Sequence, residues 1–275
     1  MAAVFGAKED SGLDRRTQAK NNEEWSTMIS KTFRIARTII LASFAVSSAA
    51  GATCSNASLS GTYGFLHDGT DSNGAPSSAA VTQITFDSTT GTFTGEQTAS
   101  HDGVIVTEPV TGTYAIASNC TGTGNPTGAS PFSIVVTSTG FLALHLFSEG
   151  FATTQGSPTC TNAGVKGSFG FETTGVFLAT GAVAFIGELK LTVNPSGKGV
   201  ISGQVAASED GTFLAEEPVT GSYKVDPDCR GWASIKPKGL PEMRFHLVVV
   251  DGGKEMLAVE TDADTVVSGT LVKGN

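Results

Sequence analysis

The segment Glu108-Pro-Val-Thr-Gly-Thr-Tyr114, continuing to Cys120-Thr-Gly, returns as Glu217-Pro-Val-Thr-Gly-Ser-Tyr223, continuing to Cys229-Arg-Gly. The likeness extends to both sides. Cys54-Ser-Asn-Ala with Gly61-Thr-Tyr63-Gly-Phe65 matches Cys160-Thr-Asn-Ala with Gly167-Ser-Phe169-Gly-Phe171 at an offset of 160 − 54 = 106. The Glu-Pro-Val-Thr-Gly segments follow at 217 − 108 = 109, and Phe132-Ser-Ile-Val-Val136 matches Phe245-His-Leu-Val-Val249 at 245 − 132 = 113. A period of this length is too long for a solenoid unit and fits two whole domains, 53–158 and 159–275.

Ahead of the repeat, Lys31, Arg34 and Arg37 precede an apolar run from Thr38 through Ile39, Ile40, Leu41, Phe44 and Val46, and Ala50-Gly-Ala52 offers small residues. That order predicts a secretory signal over 28–52, too short an apolar run to be a comfortable membrane span. Residues 1–27 are polar and mixed in charge, and are expected to be a non-native extension ahead of a start at Met28. The four cysteines agree with export. Of three connectivities, only Cys54–Cys120 with Cys160–Cys229 repeats within each copy, at spacings of 120 − 54 = 66 and 229 − 160 = 69. A metal site is not expected, because there is no C-x-x-C pair and no histidine at matching positions in both copies.

Charge is uneven. No Lys or Arg lies between Arg37 and Lys166, so the first copy carries seven acids and no base; the second carries fourteen acids and ten bases. The repeat region therefore stands at −7 − 4 = −11. Such a surface repels phosphate backbones and anionic lipid, which argues against nucleic-acid and membrane-surface partners.

Beyond the leader, apolar residues alternate with Ser and Thr, as in Tyr63 and Phe65, Ile84 and Phe86, Phe132, Ile134 and Val136, or Leu142 and Leu144. Turn residues separate the runs, among them Asp68-Gly69, Asn73-Gly74, Asp102-Gly103 and Asn125-Pro126. About eight short strands per copy predict an all-β protein of two tandem antiparallel meanders. A closed barrel is favoured over a β-sandwich, because closure removes the edges of a Thr-rich, weakly charged sheet.

The series G-T-Y-G-F, T-F-D with G-T-F-T-G, and T-G-T-Y followed by C-T-G resembles a group of uncharacterised secreted bacterial proteins built from this unit, over essentially the whole repeat region. More distantly, the Gly-x-aromatic opening of a meander is similar to the calycin, or lipocalin-like, barrels, which carry Trp where this chain has Tyr63 and Phe169. The first resemblance implies no activity. The second implies a pocket for a small apolar ligand, with Tyr63, Tyr114, Phe169 and Tyr223 as candidate lining residues.

Other chemistry is sparse. Glu108 and Glu217, each before a proline, are weak candidates for a general acid or base, and His67-Asp68 and His101-Asp102 read as surface turn pairs. Gly69-Thr-Asp71-Ser-Asn73-Gly74 resembles part of a calcium loop but lacks its first carboxylate. Asn56-Ala-Ser58 and Asn119-Cys-Thr121 have the form of glycosylation acceptors. No nucleophile elbow, zincin motif or phosphate loop is present. The expectation is a secreted or periplasmic non-enzymatic binding or surface-interaction protein, without cofactor or metal, that carries a small apolar ligand or meets a cell-surface partner. The alternative is a barrel enzyme acting on a small apolar or carbohydrate substrate in one domain.

Overall fold

A computed structural model describes residues 53–274. The expected extension and signal lie outside the described residues. The first eight strands are β1 (Gly61–Thr70), β2 (Pro76–Asp87), β3 (Thr92–His101), β4 (Val104–Ile116), β5 (Thr121–Pro126), β6 (Phe132–Val136), β7 (Gly140–His145) and β8 (Ser148–Thr154). The second eight are β9 (Gly167–Phe177), β10 (Gly181–Val193), β11 (Gly199–Glu209), β12 (Thr212–Val225), β13 (Arg230–Pro237), β14 (Met243–Val250), β15 (Glu255–Glu260) and β16 (Thr265–Lys273). Each set forms an antiparallel meander in which the last strand pairs with the first, giving two closed eight-stranded barrels. The sandwich is thereby excluded.

Turn chemistry explains the repeated Asp-Gly pairs. Asp102 and Asp210 take φ 49° and 44°, followed by Gly103 at 79° and Gly211 at 78°. Two successive left-handed residues twist a two-residue hairpin in the sense of its strands, and Asp-Gly is among the few pairs that tolerate them.

The barrels pack side by side. Outward-facing Leu66, Ala79 and Val81 of the first barrel meet Val248, Val250, Leu257, Val259 and Val266 of the second. Strands β14 and β15 are therefore covered on both faces, one side chain pointing into their own barrel and the next into its neighbour. This accounts for the continuous apolar runs Leu247-Val-Val-Val250 and Met256-Leu-Ala-Val259, whereas the corresponding β6 and β7 keep exposed Val135 and Leu144. Polar groups cross the junction as well: Thr98 Oγ1 and His246 Nδ1 are 2.7 Å apart, Ser268 donates to Asp68 at 2.5 Å, and Ser100 donates to the Thr265 carbonyl. Arg230 supplies Glu96 with a cation that the first barrel does not possess. Both side chains of that pair are substantially exposed, so it adds little.

Gly64 is shaped by this junction. A Cβ there would lie 2.5 Å from Val250 Cγ1 and 3.0 Å from Val248 Cγ1, whereas at the equivalent Gly170 the nearest atom is 3.8 Å away. Gly64→Val is expected to lower the free energy of unfolding by about 1–3 kcal/mol through overpacking. Gly170→Val should stay within about 0.5 kcal/mol of the parent. Urea midpoints of the two variants check this, and equal losses would remove the junction from the explanation.

Candidate functional site

The repeated residues build one end of each barrel. Asn56 opens a 3-10 turn (Asn56–Leu59) beneath the first barrel, and its Oδ1 accepts the Ile116 amide at 2.8 Å. Tyr114, from Glu-Pro-Val-Thr-Gly-Thr-Tyr, donates its hydroxyl to the carbonyls of Leu59 (2.9 Å) and Asn56 (3.0 Å). The second copy reproduces the device: Asn162 Oδ1 accepts the Val225 amide, and Tyr223 donates to the Asn162 carbonyl, both at 2.8 Å. Burial raises both phenols to about 12, in Tyr114 with help from Asp87 and Tyr63, so they remain donors at any physiological pH. Disulfides Cys54–Cys120 and Cys160–Cys229 pin the same end.

The four aromatic candidates fall here. Tyr63 packs edge-on against Phe86 and Phe141, and Tyr114 against Phe86, while Phe169 and Tyr223 are buried in the core of the second barrel. The sequence motif marks the sealed bases.

The opposite end of the first barrel is open, and a cavity of about 500 Å³ enters it. Its floor is aromatic, formed by Phe65, Phe93, Phe132 and Phe141 with Ile84. Above the floor stand Thr82 and Gln97, joined by a 3.2 Å hydrogen bond, and His67; His101, His145, Glu108 and Glu149 ring the mouth. Three of the chain's four histidines thus line one cavity. Register explains how. Tyr63, Phe65 and His67 share the inward face of β1, and Phe141, Ala143 and His145 that of β7. His101 faces Ser78 across β2 and β3, two positions beyond Ala80, the partner of His67. The reading of His67 as a surface turn residue is corrected: it sits within the barrel, one inward position beyond Phe65. Period-two spacing from the aromatics carries that signal, whereas the adjacent Asp68 points to the opposite face.

The His67 imidazole is strongly perturbed. Burial, then the neighbouring His101 and His145, lower its pKa to about 4, so the ring is neutral at pH 7. Its Nδ1 is enclosed without a hydrogen-bond partner. The remaining nitrogen, Nε2, also has no partner in the protein and is left accessible where the residue lines the cavity.

The second barrel fills the corresponding space. Phe171, Phe185, Phe245, Leu247, Met256 and Ala258 belong to one continuous core. Where the first barrel has His67, His101 and His145, the second has Thr173, Glu209 and, at 145 + (258 − 143) = 260, Glu260. Thr173 is 1% and Glu260 2% exposed, and each retains one unpartnered oxygen. Burial, with a smaller effect from Asp262, lifts the Glu260 carboxyl to about 8. The three buried, unpartnered polar atoms among the described residues therefore all lie in the upper layers of the two barrels.

Other candidates resolve simply. The Asp71 carboxylate accepts amides of its own loop, Asn73 at 2.8 Å and Ala75 at 2.9 Å, which is a turn-stabilising role. Those bonds, led by Ala75, hold it below the usual carboxylate range. Glu108 faces the cavity mouth, and Glu217 lies on β12 of the second barrel, opposite Val205. No group of three ligating side chains placed to hold a metal occurs among the described residues.

Comparison with known proteins adds little. No family model and no curated protein matches the chain. Among solved structures, a Nostoc punctiforme protein of unknown function from the DUF3598 family aligns with 79% of this chain and 97% of its own, at 11% identity and a TM-score of 0.28. A likeness of that depth carries no argument about function.

Proposed function

We propose that the chain is an extracytoplasmic binding protein whose first barrel carries a small, mostly apolar ligand while the second serves as its rigid support. The observation that carries this reading is the contrast between two barrels of one design, one with a cavity of about 500 Å³ over an aromatic floor and one occupied by its own side chains. A pocket for a small apolar ligand is also what the calycin resemblance implies. Two disulfides and the signal-like leader favour a secreted or periplasmic location. Exposed Leu146 and Phe147, at the tip of the hairpin joining β7 and β8, place apolar surface beside the mouth.

A hydrolytic or isomerising enzyme is the second reading, favoured by one fact: Glu108 and Glu149 line the same cavity as the three histidines. No hydrogen bond joins those histidines to either carboxylate among the described residues, so no oriented acid–base pair is formed. Native mass spectrometry of protein purified from its own host separates the readings. The carrier reading expects a noncovalent apolar adduct in one-to-one ratio, released intact on mild denaturation. An invariably empty chain would overturn it, as would an adduct that is chemically converted when incubated with the protein.

A further inference from the structure

We infer that the ligand of the first barrel is an uncharged molecule with an aromatic or similarly flat apolar body and a carbonyl-type oxygen, held by a hydrogen bond from Nε2 of His67. The inference rests on the carrier reading and names the ligand's chemistry. Three observations lead to it.

The first is the state of the His67 ring. A neutral imidazole carries one proton on one of two nitrogens. Nδ1 is enclosed and faces no acceptor, and a buried N–H without a partner is rarer and costlier than an unused lone pair. The proton therefore resides on Nε2, the nitrogen left accessible on the cavity side, and the cavity is offered a donor. An acceptor oxygen satisfies it.

The second is the absence of fixed positive charge. The first barrel contains no Lys or Arg, and the mouth carries Glu108 and Glu149. An anionic ligand entering this cavity would lose water, pass two carboxylates and meet a neutral imidazole, so a carboxylate or phosphate is disfavoured. A cationic ligand meets the wrong polarity deeper in, where Nε2–H is a donor.

The third is the vertical order of the lining. Phe65, Phe93, Phe132 and Phe141 form the floor, and His67 stands one inward position above Phe65, its ring centroid 5.3 Å from the Phe65 ring. A flat apolar body resting on the floor leaves a substituent at the height of His67. Aromatic side chains favour such a body by offset and edge contacts.

The probes are 2-acetylnaphthalene and 2-isopropenylnaphthalene, which differ in presenting C=O or C=CH2 on the same ring system, together with 2-naphthoate as the anion. Equilibrium titration at pH 7.5 into the intact disulfide-bonded protein is expected to show the ketone binding about tenfold more tightly than the alkene, a difference of about 1.4 kcal/mol and within the range of one net hydrogen bond. Naphthoate should bind more weakly than the ketone. His67→Leu should bring the ketone-to-alkene ratio close to one, and His67→Gln, which retains an N–H donor, should restore part of it. Equal affinity of ketone and alkene in the wild-type protein would overturn the inference while leaving the carrier reading standing. Tighter binding of naphthoate would overturn the uncharged ligand. Failure of all three probes to bind would count against the carrier reading itself.

Discussion

Glu260→Gln is expected to stabilise the protein by several kcal/mol at pH 8.5 and to leave it nearly unchanged at pH 4.5. Glu260 points into the second barrel beside Phe245, 2% exposed, with Oε2 unpartnered. Burial raises its pKa from the ordinary 4.5 to about 8. The folded protein thus keeps a proton that the unfolded chain releases between those values. Stability must therefore fall as pH rises from about 4.5 to about 8, and level off above. At 1.36 kcal/mol per pKa unit the loss approaches about 4–5 kcal/mol, an upper figure where water reaches the carboxylate. Glu255, also raised by burial, contributes a slope of the same sign, so the difference between wild type and variant isolates Glu260. Gln keeps the shape of the protonated acid and cannot ionise. Urea unfolding across this pH range checks the expectation, and parallel curves for the two proteins would refute it.

Removing the first disulfide should have a comparable effect. The bond closes a separation of 66 residues, for which chain entropy gives about 4 kcal/mol. Cys54→Ala with Cys120→Ala is expected to lose most of that. Cys120 has φ 67°, as Cys229 has φ 68°, in the left-handed region that costs a side chain about 1 kcal/mol and glycine almost nothing. Cys54→Ala with Cys120→Gly should therefore lose about 1 kcal/mol less than the double alanine variant. Guanidinium unfolding of the oxidised parent and both variants measures the order. If the glycine variant were the less stable, backbone strain at the cysteine would have no part in the account.

Much of the scaffold was readable beforehand, and for a physical reason. Duplication exposes residues that two barrels need in common, and these prove to be the Cys, Asn and Tyr that seal each base and the Asp-Gly pair that turns one hairpin of each barrel. The cavity depends on positions at which the copies differ. His67 stands opposite Thr173 and His145 opposite Glu260, so comparing the copies for identity passes over them. Their spacing of two from Phe65 and Ala143 was visible, but whether an inward position meets a cavity or a packed core depends on side chains contributed by six other strands. The junction was less visible still. Gly64 and Gly170 match in the two copies, and only the neighbouring barrel shows that the missing Cβ of Gly64 makes room for Val248 and Val250. The period-two reading of β14 and β15 passes over the apolar residues between the inward ones, which the neighbouring barrel covers.

The division of labour between the barrels is tested most directly by titrating the protein with N-phenyl-1-naphthylamine, a neutral apolar fluorophore, alongside the variant Ala143→Phe. Ala143 faces inward above the aromatic floor and lines the cavity, so a phenyl ring there fills the space that a ligand would take. One probe per wild-type chain, and none per chain of a variant whose circular dichroism is that of the parent, is the predicted result. Two probes per wild-type chain, or undiminished binding by the folded variant, would contradict the claim that the first barrel alone is the vessel.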